Sequence, residues 1–117
     1  MPNALCHFEL MTNDLARSKA FYEKVFNWKF DEESMPGYAL INTGAEPSGG
    51  MFAKPENSPG VCANIYFQVN DIDAALKNAV ECGGKVLVPR TPIPNVGEFA
   101  MFADPDGIAV GIMKAGN

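Results

Sequence analysis

His7 and Glu9 stand two residues apart in the stretch CHFELMTND, and His7 is the one histidine of the chain. An imidazole with a carboxylate beside it suits two kinds of chemistry. It can open a divalent metal site, which needs three or four N, O or S donors at close range, or it can exchange protons near neutral pH. A second constellation, Asn64, Tyr66 and Gln68 in NIYFQV, has the same alternate spacing. Successive strand residues point to opposite faces, so His7, Glu9 and Met11 share one face while Cys6, Phe8 and Leu10 share the other. Asn64, Tyr66 and Gln68 oppose Ile65, Phe67 and Val69 in the same way. Met51, Phe99 and Met101 are expected beside the polar set from other strands. Such a face is either solvated or lines a pocket with a few oriented polar groups, and alternation alone leaves both readings open.

Each candidate also has a plainer role. His7 can be a pocket-lining histidine with a hydrogen-bond partner, and Glu9 a solvated strand carboxylate. Tyr66 and Gln68 suit contact with whatever fills the pocket, and Asn64 suits a hydrogen bond across it. Arg90, in VPRTPIPNVG, is either an anion anchor on a lid or a solvated residue of a rigid loop. Phe21, Tyr22, Phe26 and Trp28 read as core. Cys6, Cys62 and Cys82 form no CxxC pair and read as reduced packing residues. The chain has no GxSxG, P-loop or HExxH, and GGK at 83–85 lacks the spacing of a phosphate cradle.

The elements that position these residues follow from an internal repeat. HFELMTNDLARSKAFYEKVFNWKF from His7 and NIYFQVNDIDAALKNAVECGGKV from Asn64 share one layout, offset by 64 − 7 = 57 residues. Each runs from a strand through an Asn-Asp pair into a helix. Ile72, Ala75, Leu76, Ala79 and Val80 form one apolar helical stripe, capped by Asn70 or Asp71 and closed by Gly83 or Gly84. Ser18, Phe21, Tyr22, Val25 and Phe26 form the other, capped by Asn13 or Asp14. WKFDE, YALIN and GGMFA follow the first helix as strands, and KVLVP, GEFAMFA and GIAVGIM follow the second. ADPDG sets Pro105 and Asp106 inside a β-turn closed by Gly107. The Pro- and Gly-rich stretches AEPSGG, AKPENSPG and VPRTPIPNVG read as loops, with Lys54–Gly60 dividing the halves.

Composition sets the outer bounds. A chain of 117 residues, 47% hydrophobic, suits a single domain spanning 1–117. Nine basic against fourteen acidic residues give a net charge of −5, and the basic residues are scattered. Nucleic acid and anionic membrane are therefore not expected as partners, since phosphate binding needs concentrated positive charge. No apolar stretch approaches the roughly 20 residues of a membrane span, and no basic segment with a long apolar run opens the chain. A cytoplasmic location is the expectation.

The two β-α-β-β-β halves, the segment HFELMTNDLARSKAFYEKVF and the run FADPDGIAVGIM resemble the glyoxalase, bleomycin-resistance and dioxygenase superfamily, the vicinal oxygen chelate proteins. AFYEKVFNWKF, GGKVLVPRTPIPNVGEFAMFADPDG and a Gly-Gly-Met strand resemble its small bacterial members related to lactoylglutathione lyase. The resemblance implies an α+β fold, with modules of about 4–54 and 61–114 forming a curved mixed sheet around a pocket, in a homodimer. It also implies four metal donors in metal-dependent members, from the first and last strands of each module. Carried over, these positions fall on His7, near Gly50 or Met51, on Asn64 and on Gly111, so only His7 matches a donor type. Glu9 sits two residues along the strand, about 7 Å by strand rise. The expected function is binding of a small organic molecule with no complete metal site and no other cofactor. A metal-dependent lyase, isomerase or dioxygenase, with ligands elsewhere or from a partner subunit, and a non-catalytic or regulatory binding module are the rival readings.

Overall fold

The computed structural model describes residues 3–57 and 60–115. The fold is α+β and is built from two β-α-β-β-β modules. In chain order the elements are β1 (Leu5–Thr12), α1 (Leu15–Phe26), β2 (Lys29–Asp31), β3 (Tyr38–Asn42), β4 (Gly49–Ala53), β5 (Cys62–Gln68), α2 (Ile72–Glu81), β6 (Lys85–Ile93), β7 (Gly97–Ala103) and β8 (Ala109–Ala115). The chain divides into two compact units, residues 7–64 and residues 3–6 with 65–115. Residues 58 and 59 of the expected boundary loop lie outside the described residues.

The first unit orders its strands β2-β3-β4-β1. β1 and β4 run parallel, and the remaining pairs are antiparallel. Asp14 caps α1 by accepting from Arg17 N at 3.1 Å, and Asn27 ends it with a left-handed φ of 60°, a conformation Asn tolerates better than most residues. Ala39, Ile41 and Met51 are fully buried, with Phe8, Leu10, Leu15, Tyr22, Trp28 and Phe30 packed against them. Met51 is thus a core residue and does not join His7 and Glu9. The reason is register. Met51 pairs with Leu10 and Gly50 pairs with Glu9, so Met51 inherits the helix-side face of Leu10.

The aromatic residues of α1 also depart from expectation. Tyr22 stacks on Trp28 at 5.2 Å and both reach the core, but Phe21 and Phe26 are 58% and 56% exposed. The apolar stripe of α1 is wider than the strip of sheet it covers, so its outer rings lean on the inner ones instead. Phe21 meets Tyr22 edge-on, and Phe26 leans on Trp28.

In the second unit the order is β5-β8-β7-β6, with β5 and β8 parallel. Residues 3–6 run beside β5: Gln68 N donates to Ala4 O and Asn3 Nδ2 donates to Gln68 O, each at 2.8 Å. Asp71 caps α2 by accepting from Ala74 N at 3.0 Å. Ile72 and Leu76 bury against Ala100 and Ile112, while Val80 and Ile65, expected on this inner stripe, are 51% and 44% exposed. Gly107 N donates to Asp104 O at 2.9 Å, closing the ADPDG turn. The expected loop VPRTPIPNVG is mostly strand: β6 continues to Ile93 with two register shifts before turning at Asn95, φ 65°. Pro89 and Pro92 are tolerated because β6 is the outermost strand in this order, where a missing N–H breaks no ladder.

Truncation at position 51 tests the register. Met51→Ala should destabilise the protein by about 2–5 kcal/mol, the range for emptying a buried Met site, measured by urea denaturation. A loss below about 1 kcal/mol, as for an exposed site, would place Met51 on the other face.

Candidate functional site

Opposite the first core, β1, β3 and β4 build a compact set of polar and aromatic groups. His7 Nε2 lies 2.9 Å from the Tyr38 hydroxyl oxygen. The same hydroxyl donates to Glu9 Oε2 at 2.8 Å. A phenol has one proton, and here it goes to the carboxylate, so the imidazole must donate Nε2–H to the phenol oxygen. This assigns the neutral ring as the Nε2–H tautomer, with Nδ1 as its acceptor nitrogen. His7 and Glu9 are separated along the strand, yet their side chains converge on one atom.

Tyr38 is held from the side as well. It is the register partner of Phe52, and the two rings stack at 5.8 Å with 17° between planes, the offset geometry aromatic quadrupoles favour. Its ring lies across Gly50: a Cβ built on that glycine would fall within the Tyr38 ring and hydroxyl. Gly49, one residue earlier, lies under Phe8 on the opposite face, where a Cβ would come 2.5 Å from the ring. The two glycines let one strand accept an aromatic ring on each side.

The second module has its own version. Tyr66 is 4% exposed, pairs with Gly111 in the parallel ladder, and lies over it so that a Cβ there would enter the ring. The Tyr66 hydroxyl donates to Met101 Sδ at 4.0 Å, and its ring meets Phe99 edge-on at 6.4 Å. Tyr66, Phe99 and Met101 are therefore brought together as expected from alternation. Asn64 accepts from Cys62 Sγ at 3.9 Å in the first unit, and the Gln68 backbone carbonyl is bound by Asn3. Arg90 is not near this group. It is exposed and pairs with Asp73 of α2 at 3.2 Å and with Glu98 at 3.1 Å, on the helix side of β6, so it is no lid anchor over Tyr66. The pairing also raises the guanidinium pKa, through the Glu98 hydrogen bond first.

Tyr38 and Phe52 escaped the sequence reading. Their positions in YALIN and GGMFA alternate correctly, but placing them beside His7 requires the parallel β1–β4 register, which residue types do not encode. A cleft on the helix side of the second module was also unforeseen. It is an open groove of about 750 Å³ between α2 and the sheet, lined mainly by Phe67, Val69, Ala75, Phe102 and Val110. Two of its carboxylates are already committed, Asp71 to the helix cap and Asp104 to Asp106 N and Ile108 N. The His7 face, with polar groups converging on one point, is the stronger candidate.

Residues 4–112 match the model of the Glyoxalase/Bleomycin resistance protein/Dioxygenase superfamily. The chain belongs to this superfamily. It is 31% identical over 114 residues to "Putative glyoxylase CFP32" of Mycobacterium tuberculosis, covering 92% of this chain and 44% of that protein. It is 28% identical over 132 residues to the anthracycline biosynthesis protein DauV of Streptomyces sp. strain C5, covering 98% and 48%. The chain thus spans less than half the length of these relatives. Its fold is similar to that of methylmalonyl-CoA epimerase from Mycobacterium tuberculosis, with TM-score 0.72 and 15% identity over 97% of this chain and 88% of that one.

The superfamily's metal can be tested against the residues present. The last-strand positions are Gly50 in the first unit, opposite Glu9, and Gly111 in the second, opposite Tyr66. Both lack a donor, and both are covered by a ring that leaves no room for one. Met51 points into the core. Among the described residues, no three His, Cys, Asp or Glu side chains come together in a group able to hold an ion. The residues do not fit a four-donor metal set.

Burial lowers the His7 pKa below its ordinary 6.5, with Glu9 acting in the opposite direction. A histidine with a lowered pKa binds fewer protons folded than unfolded, so stability falls as pH drops below about 6.5 and the loss levels off below the folded pKa. As the sole histidine, His7 gives one imidazole titration by NMR. Its midpoint should lie below 6.5, and Glu9→Gln should lower it further; a midpoint at or above 6.5 would contradict this environment.

Proposed function

We propose that this superfamily member binds a small, planar organic molecule carrying an oxygen or nitrogen acceptor or donor, without a complete metal site. The observation that carries the reading is the His7–Tyr38–Glu9 convergence beside the Tyr38–Phe52 stack. Flat aromatic surface contributes most of the affinity for a flat ligand, and a few oriented polar groups fix its orientation. In the second module Phe99, edge-on to the buried Tyr66 ring, adds partly exposed aromatic surface. The relative named for anthracycline biosynthesis supports the choice of aromatic ligands, and the relative named a glyoxylase supports small oxygenated ones. A cytoplasmic location and a second copy of the chain as partner belong to the same proposal, the exposed Phe21, Val25 and Phe26 of α1 being apolar surface that association would cover. No helix among the described residues is long and apolar enough to cross a membrane.

A thermal-shift screen with hydroxylated aromatics, thiol adducts and aliphatic acids tests the ligand class, because a molecule selective for the folded state raises stability by mass action. Hydroxylated aromatics should raise Tm in the parent protein, and His7→Ala with Phe52→Ala should abolish the shift. Shifts given only by aliphatic acids, or unchanged in the double variant, would overturn the reading. Metal content after growth with added Zn²⁺ and Ni²⁺ should stay far below one ion per chain; near-stoichiometric metal lost in His7→Ala would establish the metal-dependent alternative.

A further inference from the structure

We infer that Tyr38 and Gly50 are an exchange pair: the Tyr38 hydroxyl occupies the point where His7 and Glu9 converge, and its ring occupies the volume a side chain at position 50 would need. Module one therefore excludes a divalent cation by steric replacement, while keeping the His7 imidazole and the Glu9 carboxylate that converges with it. The inference rests on the metal-free reading above and supplies its cause.

Three observations carry it. The Tyr38 oxygen sits 2.9 Å from a histidine nitrogen and 2.8 Å from a carboxylate oxygen. An ion bound by the same two atoms would stand about 2.0–2.2 Å from each, so phenol oxygen and ion compete for one place. Second, a Cβ at position 50 would fall within the phenol itself. That phenol is no loose end able to swing aside, being pinned by two hydrogen bonds and by the Phe52 stack. Third, the second module repeats the device with a ring from a different strand. Tyr66, on β5, covers Gly111, and under the 57-residue repeat Tyr66 is the counterpart of Glu9. Two independent coverings of equivalent glycines, reached by different rings, are unlike chance packing.

Reversing the exchange tests the inference. Tyr38→Ala with Gly50→Glu would leave His7, Glu9 and a carboxylate at position 50 on one face, three donors of the kind zinc-type ions take. Co²⁺ titration followed by visible absorption, on full-length protein shown folded by circular dichroism, reads the outcome. The double variant should bind Co²⁺ about tenfold or more tighter than the parent, and adding His7→Ala should remove the gain. Should the double variant not fold, Tyr38→Ala alone, with two donors and open coordination positions, should still exceed the parent in a His7-dependent way. Gly50→Ala alone should shift the His7 imidazole resonance by displacing the phenol, and Tyr38→Ala with Gly50→Ala should not add to the shift given by Tyr38→Ala. A parent protein that itself binds Co²⁺ through His7 would overturn both this inference and the metal-free reading. Folded variants that bind no better than a metal-free parent would overturn the exchange alone.

Discussion

The parallel register that sets Glu9 opposite Gly50 governs the His7 face. Because strand side chains alternate, a slip of one residue would send Met51 to that face and Gly50 to the core. With the register as it stands, Met51 fills the space among Ala39, Ile41 and Leu10, and a bare backbone is left beneath Tyr38. The phenol can then lie flat, stack on Phe52 and reach both His7 and Glu9. Packing in the core and hydrogen bonding on the opposite face are thus consequences of one ladder.

Elements and caps were largely legible in the sequence because they depend on local signals. The apolar spacing of Ile72 and Leu76, the Asp residues before each helix and the ADPDG turn each act within a few positions. Strand alternation likewise placed His7 with Glu9, and Tyr66 with Phe99 and Met101. What was hidden depends on pairing between distant strands. Residue type alone sets Met51 on the His7 face and gives no ground for Tyr38 there, because both placements depend on the β1–β4 and β3–β4 registers. VPRTPIPNVG reads as a loop because its three prolines oppose a central strand, yet an outermost strand accepts the two that fall within β6. Phe21 and Phe26 looked buried because a helical stripe shows its apolar width but not how much of that width a sheet will cover.

The two modules also show how a duplicated layout diverges without losing its frame. Cross-strand neighbours correspond: Gly50 matches Gly111 by pairing, with Glu9 and Tyr66 as their respective partners. In one module the covering ring comes from β3 and in the other from the first strand. The chemistry differs accordingly. Module one joins a phenol to an imidazole and a carboxylate, while module two gives its phenol a thioether and an aromatic edge.

The Gly49–Gly50 doublet has a meaning for descent as well as for packing. Each glycine is pressed by a ring from one side, Phe8 on Gly49 and Tyr38 on Gly50, so a side chain gained at either must be matched by a smaller residue at its ring. Either step taken first is harmful, one by collision and the other by an unfilled hollow. Such a strand has sign epistasis built into it. Once a lineage has laid the tyrosine over the glycine, stepwise drift has no smooth way back, and the two positions are free to change only as a couple.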